Sequence, residues 1–150
     1  MNIKTKIPPP LVTLAFGFLI NYTKNIFPKI EISNEIIFGS AMIIIGFIII
    51  LSAINLFKKY QTTITPLNPS NATKLITGGI YKFSRNPMYL GLLLVLSGIS
   101  IILNPIGGLF LIPLFILYLN LFQIIPEENV MVDLFKDEFL EYKENVRRWI

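Results

Sequence analysis

The sequence predicts an all-α integral membrane bundle of about four transmembrane helices with a C-terminal amphipathic cytoplasmic helix. Three observations carry that reading. Hydrophobic residues make up 53% of the 150 residues and charged residues only 15%, more apolar surface than one soluble domain of this length can hide. The apolar runs are long and uninterrupted rather than alternating, so helices and not a barrel satisfy the backbone in lipid. The charges gather between the runs and at the ends, where orientation in a bilayer explains the net charge of +4 better than nucleic acid does.

The elements follow in order along a single domain, 1–150. Pro8, Pro9 and Pro10 mark the entry of a first span over 8–23, because proline is tolerated in a first helical turn. The same triplet, without a small-residue cleavage site after it, argues against a cleavable leader. Residues 36–57 give 22 uncharged positions, the clearest span. Residues 86–126 then run for 41 positions without a charge, and the "NPIGG" at 104–108 in their middle is a strong turn signal. A tight hairpin of spans over 87–103 and 109–125 is expected. Residues 127–150 read as an amphipathic helix, with Met131, Phe135, Phe139, Tyr142, Val146 and Trp149 at spacings of 4, 4, 3, 4 and 3. Such a helix lies along the membrane surface or packs under the bundle.

Counting Lys and Arg sets the orientation. With four spans and the N-terminus inside, 11 basic residues face the cytoplasm and 2, Lys24 and Lys29, face out. Both termini are therefore expected to be cytoplasmic. That arrangement puts three distant features on one side of the bilayer: residues 78–91, the pair Glu127–Glu128, and the terminal "VRRWI". The outer ends of an antiparallel hairpin are neighbours, so these features are expected to meet.

The chain has no cysteine and no histidine. This removes thiol nucleophiles, disulfides, Cys/His metal sites and any histidine base. Chemistry has to come from carboxylates, Arg, Lys, Tyr, Asn and backbone groups. The stretch "GGIYKFSRNPMYLG" concentrates such groups just before an apolar run. Gly78 and Gly79 allow a turn or a close approach. Asn86 and Pro87 are a good helix start, an N-cap residue followed by proline at the first position. Tyr81, Tyr89 and Arg85 are by default interfacial or headgroup contacts. Glu127 and Glu128 suit the first turn of the last helix. Asn120 and Gln123, polar within the fourth span, either bond between helices or line a cavity.

Taken together, "TTITPLNPSNATKLITGGIYKFSRNPMYLG" followed by a hairpin and "PEENVMVDLFKDEFLEYKENVRRWI" resembles the isoprenylcysteine carboxyl methyltransferase family, within a wider group that includes phospholipid N-methyltransferases. The resemblance covers about residues 62–150. It implies a membrane enzyme that uses S-adenosylmethionine to methylate a lipophilic acceptor, a carboxylate in the first instance. Membrane lipids are the other partner, and neither a metal nor a nucleic acid is expected. By the resemblance, Gly78, Gly79, Tyr81, Arg85, Asn86, Pro87, Tyr89, Gly91, Glu127 and Glu128 belong to the cofactor pocket. Arg147 matches an arginine near the family's C-terminus and is assigned to an anionic acceptor head. The family usually has histidine where this chain has Asn86, which cannot act as a base near neutral pH. A carboxylate acceptor needs no base. An ammonium acceptor must lose a proton, and Glu128, Tyr89 or water are then the candidates. Two other readings stand beside this one: an NADPH-dependent enzyme like the membrane sterol reductases, and a small non-catalytic scaffold.

Overall fold

A computed structural model describes residues 7–27, 30, 32–61 and 72–150. Lys4, Lys6 and Lys29, which enter the orientation count, lie outside them, as do positions 62–71 at the start of the motif region. Every regular element among the described residues is helical. Helix α1 (Pro9–Tyr22) begins where the proline triplet predicts, with Pro9 at its first position, and runs into a 3₁₀ turn, Thr23–Asn25. Helix α2 (Glu35–Tyr60) has Glu35 in its first turn and Lys58 and Lys59 in its last, charges that suit the two ends of the helix dipole. A 3₁₀ turn, Gly79–Lys82, precedes α3 (Pro87–Leu103). Helix α4 (Pro105–Leu119), a π-helical segment (Asn120–Ile124) and α5 (Ile125–Asn145) then follow as one continuous helix.

Among the described residues two helices, Glu35–Tyr60 and Pro105–Asn145, are long and apolar enough to cross a membrane, and Pro87–Leu103 is apolar but shorter. In α2 only Gly39, Gly46 and Ala53 are buried, while Ile36, Ile37, Phe38, Ile44, Phe47, Ile48 and Leu51 are exposed. Such a continuous apolar face needs lipid rather than water around it. The protein is a membrane protein.

Helices α2 and α3 pack backbone to backbone through glycines in matched heptad spacing. A Cβ on Gly46 would lie 2.6 Å from the Gly91 carbonyl, and one on Gly91 would lie 2.7 Å from the Gly46 carbonyl. One heptad away, a Cβ on Gly39 would lie 2.7 Å from the Gly98 carbonyl. Small residues at such a seam let helices approach closely enough for dispersion contacts where lipid supplies no hydrophobic drive.

The expected hairpin turn over 104–108 contracts to Asn104 alone, and the following helix starts at Pro105 rather than 109. The Asn104 side chain accepts from the Gly107 amide at 2.9 Å, an N-cap bond, and donates to the Ile20 carbonyl and Thr23 Oγ1, both at 3.1 Å. Gly107 and Gly108 are helical and buried because a Cβ on either would collide with Asn104 or Ser100. They serve close packing, not a turn.

The last helix also differs from expectation. It ends at Asn145 instead of continuing to Ile150, and Lys136, at φ 45°, interrupts its helical geometry. Met131, Phe135, Phe139, Tyr142 and Val146 pack with Ala53, Ile76 and Tyr81 in one apolar cluster. Trp149 joins a second cluster built on Val12, Ile20, Tyr89, Leu96, Phe115 and Leu119. Residues 146–150 leave the helix and run back toward the start of α3.

Candidate functional site

The entry to α3 is shaped by its backbone. Gly79 has φ +60°, the left-handed region that an L side chain rarely adopts. The Gly79–Lys82 turn buries the Tyr81 ring edge-on against Phe57, with centroids 5.8 Å apart. The Tyr142 hydroxyl donates to the Tyr81 carbonyl at 2.6 Å, which ties this turn to α5. Burial raises the hydroxyl pKa of both tyrosines. Asn86 occupies the N-cap position of α3, but its side chain makes no cap bond there. Its Nδ2 instead donates to the Arg148 carbonyl at 3.0 Å.

The tail closes over this entry. The Arg85 amide donates to the Arg147 carbonyl at 3.0 Å, and Ser84 Oγ accepts from the Asn86 amide at 3.1 Å while donating to the Arg148 carbonyl at 3.4 Å. Arg148 grips Glu128 with Nε on Oε1 at 3.1 Å and Nη2 on Oε2 at 2.7 Å. Arg85 Nη2 reaches the same Oε1 at 3.2 Å, so one buried carboxylate lies between two guanidiniums. Arg85 Nε and Nη1 are buried with no hydrogen-bond partner.

Glu127 faces a different environment one residue earlier. The Tyr89 hydroxyl donates to Glu127 Oε1. The apolar part of the long helix has ended at Ile125, yet burial pushes the Glu127 carboxyl up to about 7. The Tyr89 hydrogen bond opposes that shift and the neighbouring Glu128 adds to it. The two adjacent glutamates thus differ in kind: Glu128 is locked by cations, and Glu127 can hold or release a proton near neutral pH.

A family model for phospholipid methyltransferases matches residues 34–138. The chain belongs to the phospholipid methyltransferase family. That span takes in α2, α3, α4 and the pair Glu127–Glu128. A protein of Arabidopsis thaliana described as protein-S-isoprenylcysteine O-methyltransferase A is 33% identical over 112 residues, which are 73% of this chain and 55% of that relative. An uncharacterised protein of Haemophilus influenzae is 45% identical over 64 residues, 42% of this chain and all of the relative. No solved structure matches the chain.

Within this phospholipid methyltransferase family member, Arg85, Asn86, Tyr89, Glu127 and Glu128 come together at one end of the α3–α4 hairpin, with Tyr81 beside them. Pro87 is fully buried at the start of α3. Gly78 is open, with only the Tyr60 hydroxyl near a built Cβ, at 3.6 Å. Gly91 lies against α2, a packing position. Of the two terminal arginines Arg148 enters the carboxylate pair, whereas the Arg147 side chain is exposed and only its carbonyl is engaged. Ser84 had no assignment from the sequence, Tyr142 was placed only on the apolar face of the last helix, and Arg148 only within the terminal "VRRWI". An extended tail would have revealed Arg148, since alternation turns Arg147 out and Arg148 in.

Proposed function

We propose that this membrane methyltransferase uses S-adenosylmethionine and transfers its methyl group to a lipophilic acceptor. The observation that carries the proposal is the Arg85 guanidinium. It is only 10% exposed, one nitrogen rests on Glu128, and Nε and Nη1 have no partner. A buried cation with two idle donors calls for an anionic ligand, because each unmade bond costs on the order of 1–3 kcal/mol. The amino-acid end of S-adenosylmethionine offers a carboxylate to Arg85 and an ammonium to the glutamates, so the residues present fit it.

When bound, S-adenosylmethionine supplies the methyl group on its sulfonium sulfur. Gly78, Gly79, Tyr81, Arg85, Asn86, Pro87 and Tyr89 would form the α3 side of its pocket, with Gly91 supporting that helix from behind. Glu128 holds Arg85 and Arg148 in place, so it positions rather than accepts protons. The proton-accepting role passes to Glu127, hydrogen-bonded to Tyr89. Arg147, exposed on the tail, is assigned to an anionic group of the acceptor. A carboxylate acceptor, expected from the sequence resemblance, would need no base, whereas an amine would use Glu127. The chain is read with four spans, over 8–23, 36–57, 87–103 and 109–125, and with both termini and the site on the cytoplasmic side.

The test is thermal stability of the purified protein. S-adenosylhomocysteine should raise Tm and NADPH should not, and Arg85→Gln should remove the shift. Stabilisation by NADPH alone would favour the reductase reading, and no response to either would favour a scaffold. Transfer of labelled methyl from S-adenosylmethionine into a lipid extract then identifies the acceptor.

A further inference from the structure

A groove of about 550 Å³ runs between α1 and α2 with α3 beneath it. Thr13, Gly17 and Asn21 line it from α1, Phe47 from α2, and Leu92 and Leu103 from α3. Both α1 and α2 pack on α3, which leaves this furrow between them. The Thr13 hydroxyl is engaged inside its own helix, donating to the Pro9 carbonyl at 3.0 Å, so the wall is apolar along most of its length. Gly17 makes a hollow in that wall, since nothing lies within 4 Å of a built Cβ. From Leu92 to Leu103 the helix rises about 16 Å. That is half of a hydrocarbon core about 30 Å thick, the depth of one leaflet.

Leu103 is also where the groove meets a polar pocket of about 360 Å³, whose lining includes Lys24, Asn25, Glu35 and Asn104. The Asn104 side chain, bonded to Ile20 and Thr23, steadies the 3₁₀ turn that carries Lys24 and Asn25. Glu35 stands in the first turn of α2. Among the described residues neither Lys24 nor Glu35 forms an ion pair. One cation and one anion therefore share a pocket without pairing, at the mouth of an apolar furrow one leaflet deep. This end of the bundle is far from Arg85 and Glu128, because α3 rises about 24 Å between Pro87 and Leu103.

We propose that the groove and pocket together bind a zwitterionic phospholipid of the leaflet opposite to the Arg85–Glu128 site. An acyl chain lies along Gly17 and Phe47, the phosphate meets Lys24, and the ammonium of the head meets Glu35. Asn21, where the groove ends, has an amide that can donate to an ester carbonyl. A lipid whose head carries only the phosphate charge would leave Glu35 uncompensated. The bound lipid joins α1 to α2 across the furrow. It takes no part in methyl transfer.

The full chain, purified in detergent, is titrated with dioleoylphosphatidylcholine, dioleoylphosphatidylglycerol and chainless glycerophosphocholine, and bound lipid is counted by native mass spectrometry. Phosphatidylcholine has a quaternary ammonium that takes no further methyl group, so its binding is not that of a methyl acceptor. One phosphatidylcholine should bind per chain, about fivefold more tightly than phosphatidylglycerol, the worth of one ion pair near a surface. Glycerophosphocholine should not bind at the same concentrations. Gly17→Leu fills the hollow and should abolish binding. Lys24→Gln should weaken it about threefold, and Glu35→Gln should let phosphatidylglycerol bind as tightly as phosphatidylcholine. These two head-pocket variants carry the test if Gly17→Leu does not fold. Binding by Gly17→Leu equal to wild type, a choline-over-glycerol preference that survives Glu35→Gln, or no discrete one-to-one binding overturns the proposal.

Discussion

Arg148 closes a two-point grip on Glu128, with 3.1 Å and 2.7 Å contacts from a single guanidinium. This fork fixes the extended tail over the start of α3 and holds the carboxylate that Arg85 also uses. Arg148→Gln should weaken S-adenosylhomocysteine binding about tenfold, because Glu128 loses a charge-assisted pair. Arg148→Lys should recover only part of that loss, since an ammonium cannot reproduce the fork. Isothermal titration measures both.

Arg147 differs from its neighbour because its side chain is exposed. Arg147→Gln should leave cofactor affinity within about twofold of wild type, as surface charges contribute little. Its effect should appear in the acceptor KM. Equal changes in acceptor KM and cofactor Kd would defeat the role assigned to it.

Glu127 sets a pH signature. Its folded carboxyl titrates near 7 against an ordinary value of 4.5, so the native state holds the proton longer than the unfolded chain does. Its contribution to stability is fully present below 4.5 and is lost as pH rises to about 7. The loss should be on the order of 3 kcal/mol. Glu127→Gln should flatten the dependence of Tm on pH across that window. With an amine acceptor, kcat/KM should fall as pH drops through 7 in the wild type, where the proton blocks the base.

The Tyr142 hydroxyl bonds a buried backbone carbonyl, that of Tyr81. Tyr142→Phe leaves the carbonyl without its donor and should cost about 1–3 kcal/mol. Chemical denaturation in detergent measures it, and loosening of the Gly79–Lys82 turn should accompany the loss as a weaker S-adenosylhomocysteine response.

Gly46 and Gly91 each face the other's carbonyl, so a methyl group at either has no room. Gly91→Ala should destabilise by about 1–3 kcal/mol through overpacking. Gly17, which has open space around a built Cβ, should accept alanine without such a cost.

The apolar run over 36–57 and the proline entry of α1 announced their helices, because span length and the first-turn tolerance of proline are local properties. The meeting of residues 78–91 with Glu127 and Glu128 was legible too, since antiparallel connection alone brings those ends together. The turn at 104–108 misled because glycine serves both turns and close packing, and only the neighbouring Ser100 and Asn104 decide between them. The tail misled because Val146 and Trp149 continue a helical spacing. The chain leaves the helix there for bonds to Ser84, Asn86 and Glu128, partners about 20 to 64 residues away that no local pattern encodes.

The glycine register between α2 and α3 also decides how a greasy molecule can come in sideways. Over the turns where the Gly39–Gly98 and Gly46–Gly91 backbones touch, no hydrocarbon chain can slip through the seam. A lipophilic acceptor of the proposed kind, entering from the lipid, would have to come in on another flank of the bundle.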